Sequence, residues 1–256
     1  MNILVCVKRV PATGSKITLT PDEQEIDTRH LGFVVSPHEE CAVEEAVRLV
    51  EANGGGSTVL TLGPEAAIEQ LRDALAVGMD DAVLLETDGP EWDPAATARA
   101  IVDVVRARQA AGRPFDLLLF GSESADSGNY QVGVRAACAL GWPCVAGAKG
   151  LKIDGQTVQV EREAPAGKET LEMALPAVVT VKEGLNLPRY PSVPGRLKAK
   201  KKPVERLQPA RPAASLQKIR LKLPSVKEHH VEILGRGPGA APKAVAVLQR
   251  LGIVAQ

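Results

Sequence analysis

The sequence predicts an α/β chain: a parallel sheet wound on both faces by helices, then a β-hairpin and an extended C-terminal arm. Three observations carry this expectation. Short aliphatic, β-branched runs alternate with longer segments whose apolar positions recur every three to four residues. The connections between them are short and marked by Gly and Pro. After residue 188 this rhythm stops, and Pro, Lys and Arg dominate.

Residues 2–7 (NILVCV) have the composition of a strand buried on both faces. Ser36-Pro37-His38-Glu39 then supplies a cap serine, proline at the first helical position and a glutamate three residues after the cap. The helix continues with Ala42, Val43, Ala46, Val47 and Val50 inward, and with Glu44, Glu45, Arg48 and Glu51 expected to face solvent. Asn53-Gly54-Gly55-Gly56 ends it. Ser57 to Leu62 reads as a second strand, and Gly63-Pro64 opens a helix with Ile68, Leu71, Ala74 and Leu75 on one face, closed by Gly78.

Ala82 to Leu85 forms a third strand, Asp93-Pro94 caps a helix to about Ala107, Asp116 to Phe120 forms a fourth strand, and a helix lies within Tyr130 to Leu140. Val145 to Ala148 adds a further strand. Repeated βα units with short links give a doubly wound, Rossmann-like parallel sheet with right-handed crossovers. Leu151 to Val160 reads as a hairpin about Asp154-Gly155, and LPAVVTV (Leu175 to Val181) returns to buried-strand composition. The expected organisation is an α/β domain over 1–188 and an arm over 189–256, which gains its order by lying on this domain or on a partner. Pro242 to Leu251 has helical spacing.

The 256 residues suffice for one large domain with an appendage. Lys and Arg number 31, as do Asp and Glu, so formal charge is zero and a nucleic-acid-neutralising role is disfavoured. Cys6, Cys41, Cys138 and Cys144 are scattered without CxxC pairing, and the histidines (His30, His38, His229, His230) lack metal-ligand spacing, so no metal site is expected. The opening has no basic leader, and no stretch approaches the ~20 apolar residues of a membrane span, so a cytoplasmic protein is expected.

In an open parallel sheet, ligands sit beyond the carboxyl ends of strands, which nominates the loops after residues 7, 62 and 120. The third, Gly121 to Gly133, is polar, glycine-bearing and leads into a helix, an arrangement that presents free N–H groups and a positive dipole end to phosphate. An ordinary helix-capping loop has the same composition. No GxSxG, HExxH, Walker or GxGxxG pattern is present, so a self-contained hydrolase is disfavoured.

Five segments in order resemble the electron transfer flavoprotein beta-subunit family: VCVKRVP (Val5 to Pro11), CAVEEAVRL (Cys41 to Leu49), LGPEAAIEQLRDALAVGMDDAV (Leu62 to Val83), VEREAPAGKETLEMALPAVVTV (Val160 to Val181) and NLPRYPSVPGRLKAKKKPVE (Asn186 to Glu205). The resemblance implies an adenine-nucleotide-binding (adenine nucleotide alpha hydrolase-like) fold with an arm that embraces an alpha subunit. It implies a non-enzymatic carrier: FAD sits mainly on the alpha subunit, electrons arrive from flavin dehydrogenases such as acyl-CoA dehydrogenase in fatty acid β-oxidation, and they leave to a membrane quinone oxidoreductase. The family's AMP site falls on Cys6, Ser36, Leu62 and the stretch Asp126, Gly128, Asn129, Tyr130, Gln131 and Val132. Here the family's DxNQTGQ pattern loses its threonine, while Gln131-Val132-Gly133 matches electron-bifurcating relatives, which bind a second FAD in place of AMP and use NADH. Thr13 and His38 fall where the beta subunit approaches the alpha-bound flavin. Asn186, Pro188, Arg189, Tyr190, Val193 and Pro194 match the dehydrogenase recognition loop, with Val193 at its apolar anchor.

Overall fold

In the computed structural model, residues 1–12, 14, 16–212, 218–225 and 231–254 are described. The chain divides into two compact units, Met1–Arg220 and Leu221–Gln256. In the first, β1 (Asn2–Cys6) is followed by a small antiparallel pair, β2 (Val10–Pro11) with β3 (Phe33–Val34), and by α1 (Pro37–Asn53). β4 (Gly56–Gly63), α2 (Ile68–Val77), β5 (Asp81–Glu86), α3 (Pro94–Ala110), β6 (Leu117–Gly121) and α4 (Val132–Leu140) continue the alternation. β7 (Cys144–Asp154), β8 (Thr157–Ala164), β9 (Gly167–Ala174) and β10 (Ala177–Val181) come next, then α5 (Val193–Lys201) and β11 (Glu205–Leu207). The nine-stranded sheet runs β11-β5-β4-β1-β6-β10-β7-β8-β9. Its ladders are parallel from β11 to β7 and antiparallel across β7-β8-β9.

Period-two alternation sorts each central strand onto two cores. Ile3, Val5, Leu117 and Leu119 pack with Ala42, Ala46, Leu71 and Leu75 under α1 and α2. Leu4, Cys6, Leu118 and Phe120 pack with Ile101, Val105, Ala136 and Ala137 under α3 and α4. The strand leucines are fully buried, each contributing about 1.5–3 kcal/mol by area. Helix starts follow their capping residues. The Ser36 N–H donates to Glu39 Oε2 at 3.3 Å, and Asp93 Oδ1 accepts from the N–H groups of Ala95 and Ala96 at 2.8 Å each.

Several expectations change. Val145 to Ala148 and the first hairpin strand are one continuous β7. A third antiparallel strand, β9, follows β8, tied by an Arg162 Nε–Glu169 ion pair at 2.7 Å; its polar start, Gly167-Lys168-Glu169, carries no strand signal. Glu44 and Glu45, read as solvent-facing, are buried at 4% and 7% exposure, because residues 186–189 lie over that face of α1.

The segment read as the beginning of an extended arm is partly folded onto its own domain. Ser192 Oγ accepts the Gly195 N–H at 3.1 Å and caps α5, whose Ala199 is buried. A Cβ on Gly195 would lie 2.6 Å from the Ala76 carbonyl oxygen, so glycine is what lets α5 approach the end of α2. Arg72 donates to the carbonyls of Ala199 and Lys202, and Lys202 Nζ donates to those of Met79 and Asp80 at 2.7 and 3.1 Å. β11 then adds a parallel edge to β5. α5 carries four basic residues and no apolar stripe, so its sequence reads as linker while long-range contacts hold it.

The second unit contains α6 (Ala241–Arg250), with none of its residues buried. Among the described residues, no helix is long and apolar enough to cross a membrane.

Candidate functional site

The strand order places β4 on one side of β1 and β6 on the other, so the chain winds outward in both directions from this pair. Loops diverging at such a switch point leave a crevice beyond the strand ends. A cleft occupies that position. Its apolar wall comes from Leu60, Leu62, Trp92, Ile101, Phe120 and Val132. Its polar end comes from Lys8, Glu39, Ser122, Glu123, Ser127 and residues 129–131.

Lys8, two residues after β1, ties three loops together. Its Nζ lies 2.6 Å from Asp126 Oδ2 and 3.4 Å from Ser127 Oγ, and it also pairs with Glu91 in the loop before α3. Burial works against the Lys8 charge, but Glu91 and Asp126 outweigh it and hold the ammonium above its ordinary range. Burial likewise opposes the Asp126 carboxylate, and Lys8 more than compensates, lowering it. Arg211 reaches the same loop, donating to the Glu91 carbonyl at 3.3 Å, with its guanidinium 5.9 Å from the centre of the Trp92 ring.

Glu39 forms part of the cleft floor at 6% exposure. Burial pushes its carboxyl up to about 7, an effect that N–H donors from Lys8 and Ser36 only partly offset. Burial, with Glu39 beside it, also pushes the Cys6 thiol far up, so Cys6 acts as a small apolar wall and not as a nucleophile. The backbone makes room for this carboxyl: a Cβ on Gly121 would sit 2.6 Å from Glu39 Cγ.

The β6–α4 loop bends through Gly128 at φ +54° and Tyr130 at φ +55°, the latter in a region few non-glycine residues adopt. The Gly128 N–H donates to the Ser124 carbonyl at 3.1 Å, and the Ser127 N–H to Asp126 Oδ1 at 2.6 Å. α4 then starts hard against β10, since a Cβ on Gly133 would lie 2.8 Å from Thr180 Cγ2 and 3.2 Å from the Phe120 ring.

Of the nucleotide residues expected from sequence, Cys6, Leu62, Asn129, Tyr130, Gln131 and Val132 line the cleft. Ser36 lies fully buried beside it, its Oγ donating to the Glu123 carbonyl at 3.4 Å. Asp126 is Lys8's partner, and Gly128 supplies the turn. His38 is a strut: its Nδ1 accepts the Glu183 N–H at 2.8 Å, leaving Nε2 3.3 Å from Glu123 Oε1. Thr13, and the pair His229-His230, lie outside the described residues. Lys8, Glu39, Trp92 and Thr180 were missed. Lys8 alone carried a usable signal, as a basic residue one step beyond a nominated strand end.

The segment expected to meet a partner is braced along α1. Asn186 Nδ2 donates to the Cys41 carbonyl at 3.0 Å and to Glu45 Oε2 at 2.9 Å. Arg189 forks over two carboxylates, with contacts of 2.9–3.1 Å to Glu44 and 2.7–3.0 Å to Glu51. Hydrogen bonds that it donates to Glu51 and Glu44 hold its guanidinium above the ordinary range. Pro188 sits half-buried and Pro194 is exposed in the first turn of α5. Leu187, Tyr190 and Val193 stand 90%, 96% and 72% exposed on this braced backbone. Among the described residues, no cluster of His, Cys, Asp and Glu has metal-holding geometry.

Residues 25–212 match the family model described as "Electron transfer flavoprotein domain". The chain is 38% identical over 210 residues to the electron transfer flavoprotein subunit beta of Bacillus subtilis, covering 81% of this chain and 79% of that one. It is 34% identical over 256 residues to the human protein of the same name, covering 98% of each. The Megasphaera elsdenii protein of that name is 34% identical over 225 residues, covering 86% of this chain and 83% of its own.

Proposed function

The chain belongs to the electron transfer flavoprotein beta-subunit family, and we propose that it serves as the nucleotide-binding, non-catalytic half of a cytoplasmic heterodimeric electron carrier. In this reading the cleft between the ends of β1 and β6 holds AMP. The redox chemistry would be supplied by FAD, bound mainly by an alpha subunit.

One observation supports the nucleotide reading above others: the cleft joins an apolar wall to the start of α4, whose first-turn N–H groups have no intrahelical acceptor. That pairing suits a flat base at one end and a phosphate at the other. The surrounding acids do not forbid an anion. Lys8 offsets one of the two charges on Glu91 and Asp126, Glu123 is engaged by His38 and Tyr130, and burial favours the protonated form of Glu39. Within this arrangement Lys8 closes the mouth, Glu39 accepts hydrogen bonds at the floor, and Asn129 to Val132 present donors to the phosphate.

The braced segment 186–194 is the docking surface for flavin dehydrogenases such as acyl-CoA dehydrogenases. Its exposed apolar side chains are held on an ordered backbone and so lose little entropy on binding. The C-terminal residues lie on the alpha subunit, and electrons leave to a membrane quinone oxidoreductase. A second reading, favoured by Gln131-Val132-Gly133, replaces AMP with a second FAD in a bifurcating complex that uses NADH.

The test is to co-purify the chain with its alpha partner, denature the complex and quantify FAD and AMP per heterodimer. One of each supports the carrier. Two FAD and no AMP select the bifurcating reading, and no nucleotide in this subunit removes both.

A further inference from the structure

The loop between β5 and α3 supplies Glu91 and Trp92 to the cleft wall, yet few contacts hold it there. Its ends are fixed. The Thr87 N–H donates to the Gly63 carbonyl at 3.0 Å, and Asp93 caps α3. Between them Asp88, Gly89, Pro90 and Glu91 are exposed, and the chain turns at Gly89 with φ +76°. Among the described residues, two side chains tether this stretch: Lys8 through the Glu91 carboxylate, and Arg211 through the Glu91 carbonyl at 3.3 Å. Trp92, at 6% exposure, is what the loop packs onto the cleft.

Arg211 arrives from a segment strapped across the edge of the sheet. β11 lies parallel on β5, the strand that leads into this same loop. All three β11 residues are exposed, so the edge ladder and ion pairs hold it: Arg108 with Glu205, and Arg206 with Glu65 at 2.8 Å and Glu86 at 3.7 Å. Four residues beyond β11, the Arg211 guanidinium stands 5.9 Å from the centre of the Trp92 ring, within reach of a cation–π contact. One side chain thus engages both the backbone and the ring of the loop. It also brings a second positive charge beside Glu91, where Lys8 already faces two carboxylates.

We propose that residues 88–92 are a lid on the cleft and that Arg211, carried on the β11 strap, is its latch, so that a bound ligand leaves only when Arg211 lets go of Glu91 and Trp92. The identity of the ligand rests on the nucleotide reading; the latch itself does not. A short exposed loop fixed at both ends and tethered by side chains opens locally, without disturbing the sheet beneath it. Opening breaks one hydrogen bond and one ring contact on the Arg211 side and one ion pair at Lys8. Arg211 is a positioning residue in this scheme, acting on the ligand through Trp92.

Two readouts test this. In the full-length chain carrying Trp142→Phe, which leaves Trp92 as its one tryptophan, Arg211→Gln is expected to shift Trp92 emission to the red and to make acrylamide quench it more strongly. In the complex with the alpha partner, release of radiolabelled AMP chased with unlabelled AMP is expected to quicken about five-fold in Arg211→Gln, the scale of one exposed cation–π contact plus one hydrogen bond. Arg211→Lys keeps a cation at the ring and is expected to stay within about two-fold of wild type. Unchanged release or unchanged quenching in Arg211→Gln overturns the latch, as does an Arg211→Lys variant that releases AMP as fast as Arg211→Gln. A wild-type complex that holds no AMP removes the nucleotide reading instead, and the latch is then judged on Trp92, where equal quenching in wild type and Arg211→Gln overturns it.

Discussion

Substitution of Glu39 by Gln isolates what a buried carboxyl at the cleft floor costs the fold. Its folded value of about 7 stands above the ordinary 4.5. Between those values the folded chain holds a proton that the unfolded chain has released. Unfolding stability from this group is therefore fully present below about pH 4.5, falls as pH rises through the window to about 7, and is level above it. At about 1.36 kcal/mol per unit the whole effect is ~3 kcal/mol. Other acids shift too: Glu40, Glu45 and Asp73 upward, Glu51 and Asp126 downward. The informative quantity is therefore the difference between wild type and E39Q, not either curve alone. The assay is guanidinium unfolding of both proteins at half-unit steps from pH 5 to 8.5. E39Q is expected to lose stability less steeply with pH and to gain on wild type by ~2–3 kcal/mol across the window, less whatever the amide forfeits against the Ser36 and Lys8 N–H groups. Parallel curves would refute the argument, because they would mean that Glu39 ionises as it does in water.

Three further substitutions, one of them paired with a glycine control, probe separate parts of the chain. Lys8→Ala leaves Glu91 and Asp126 facing each other at the cleft mouth, and AMP release measured by stopped flow is expected to quicken about five- to ten-fold; an unchanged rate would deny the closing role. Gly133→Ala forces a methyl against Thr180 Cγ2, 2.8 Å away, and is expected to destabilise by about 1–3 kcal/mol in thermal unfolding, whereas Gly141→Ala, with open space but φ +70°, costs about 1 kcal/mol through backbone strain alone. Arg189→Ala strands the buried Glu44 and is expected to cost about 1–2 kcal/mol, given the partial exposure of Arg189. The same variant raises the KM for a flavin dehydrogenase with kcat unchanged, and a fall in kcat alone would contradict a docking role.

The central sheet was legible because its strands are short, apolar throughout and separated by capped helices, so local pattern and final burial agree. The same logic located the cleft, since strand ends and a glycine-bearing loop follow from element order alone. Glu39 was named as a capping residue, yet its position at the cleft floor depends on Gly121 having no side chain, a fact that spans two distant segments. Trp92 reaches the cleft from a polar, acidic loop and Thr180 from an otherwise apolar strand, and neither sequence says that the side chain lines a site. β9 and α5 escaped for another reason: neither carries an apolar run, and each is ordered by partners outside itself, β9 by its ladder with β8 and the Arg162–Glu169 pair, α5 by the Arg72 bonds to the Ala199 and Lys202 carbonyls.

The acidic face of α1 shows how a correct periodicity can still mislead about exposure. Glu44, Glu45 and Glu51 sit opposite the apolar stripe, where an outer helix normally meets water. Two of the three are instead covered, and a covered carboxylate needs either a proton or a donor. Glu44 receives the Arg189 fork and backbone N–H, and Glu45 receives Asn186; burial nevertheless pushes Glu45 upward. The donors come from a proline-rich stretch with no secondary-structure signal, so charge complementarity, not hydrophobic burial, fixes residues 186–189 in place. That choice has a functional consequence. A loop glued by its apolar side chains would hide them against the helix, whereas one glued by Arg189 and Asn186 leaves Leu187, Tyr190 and Val193 free to meet another protein.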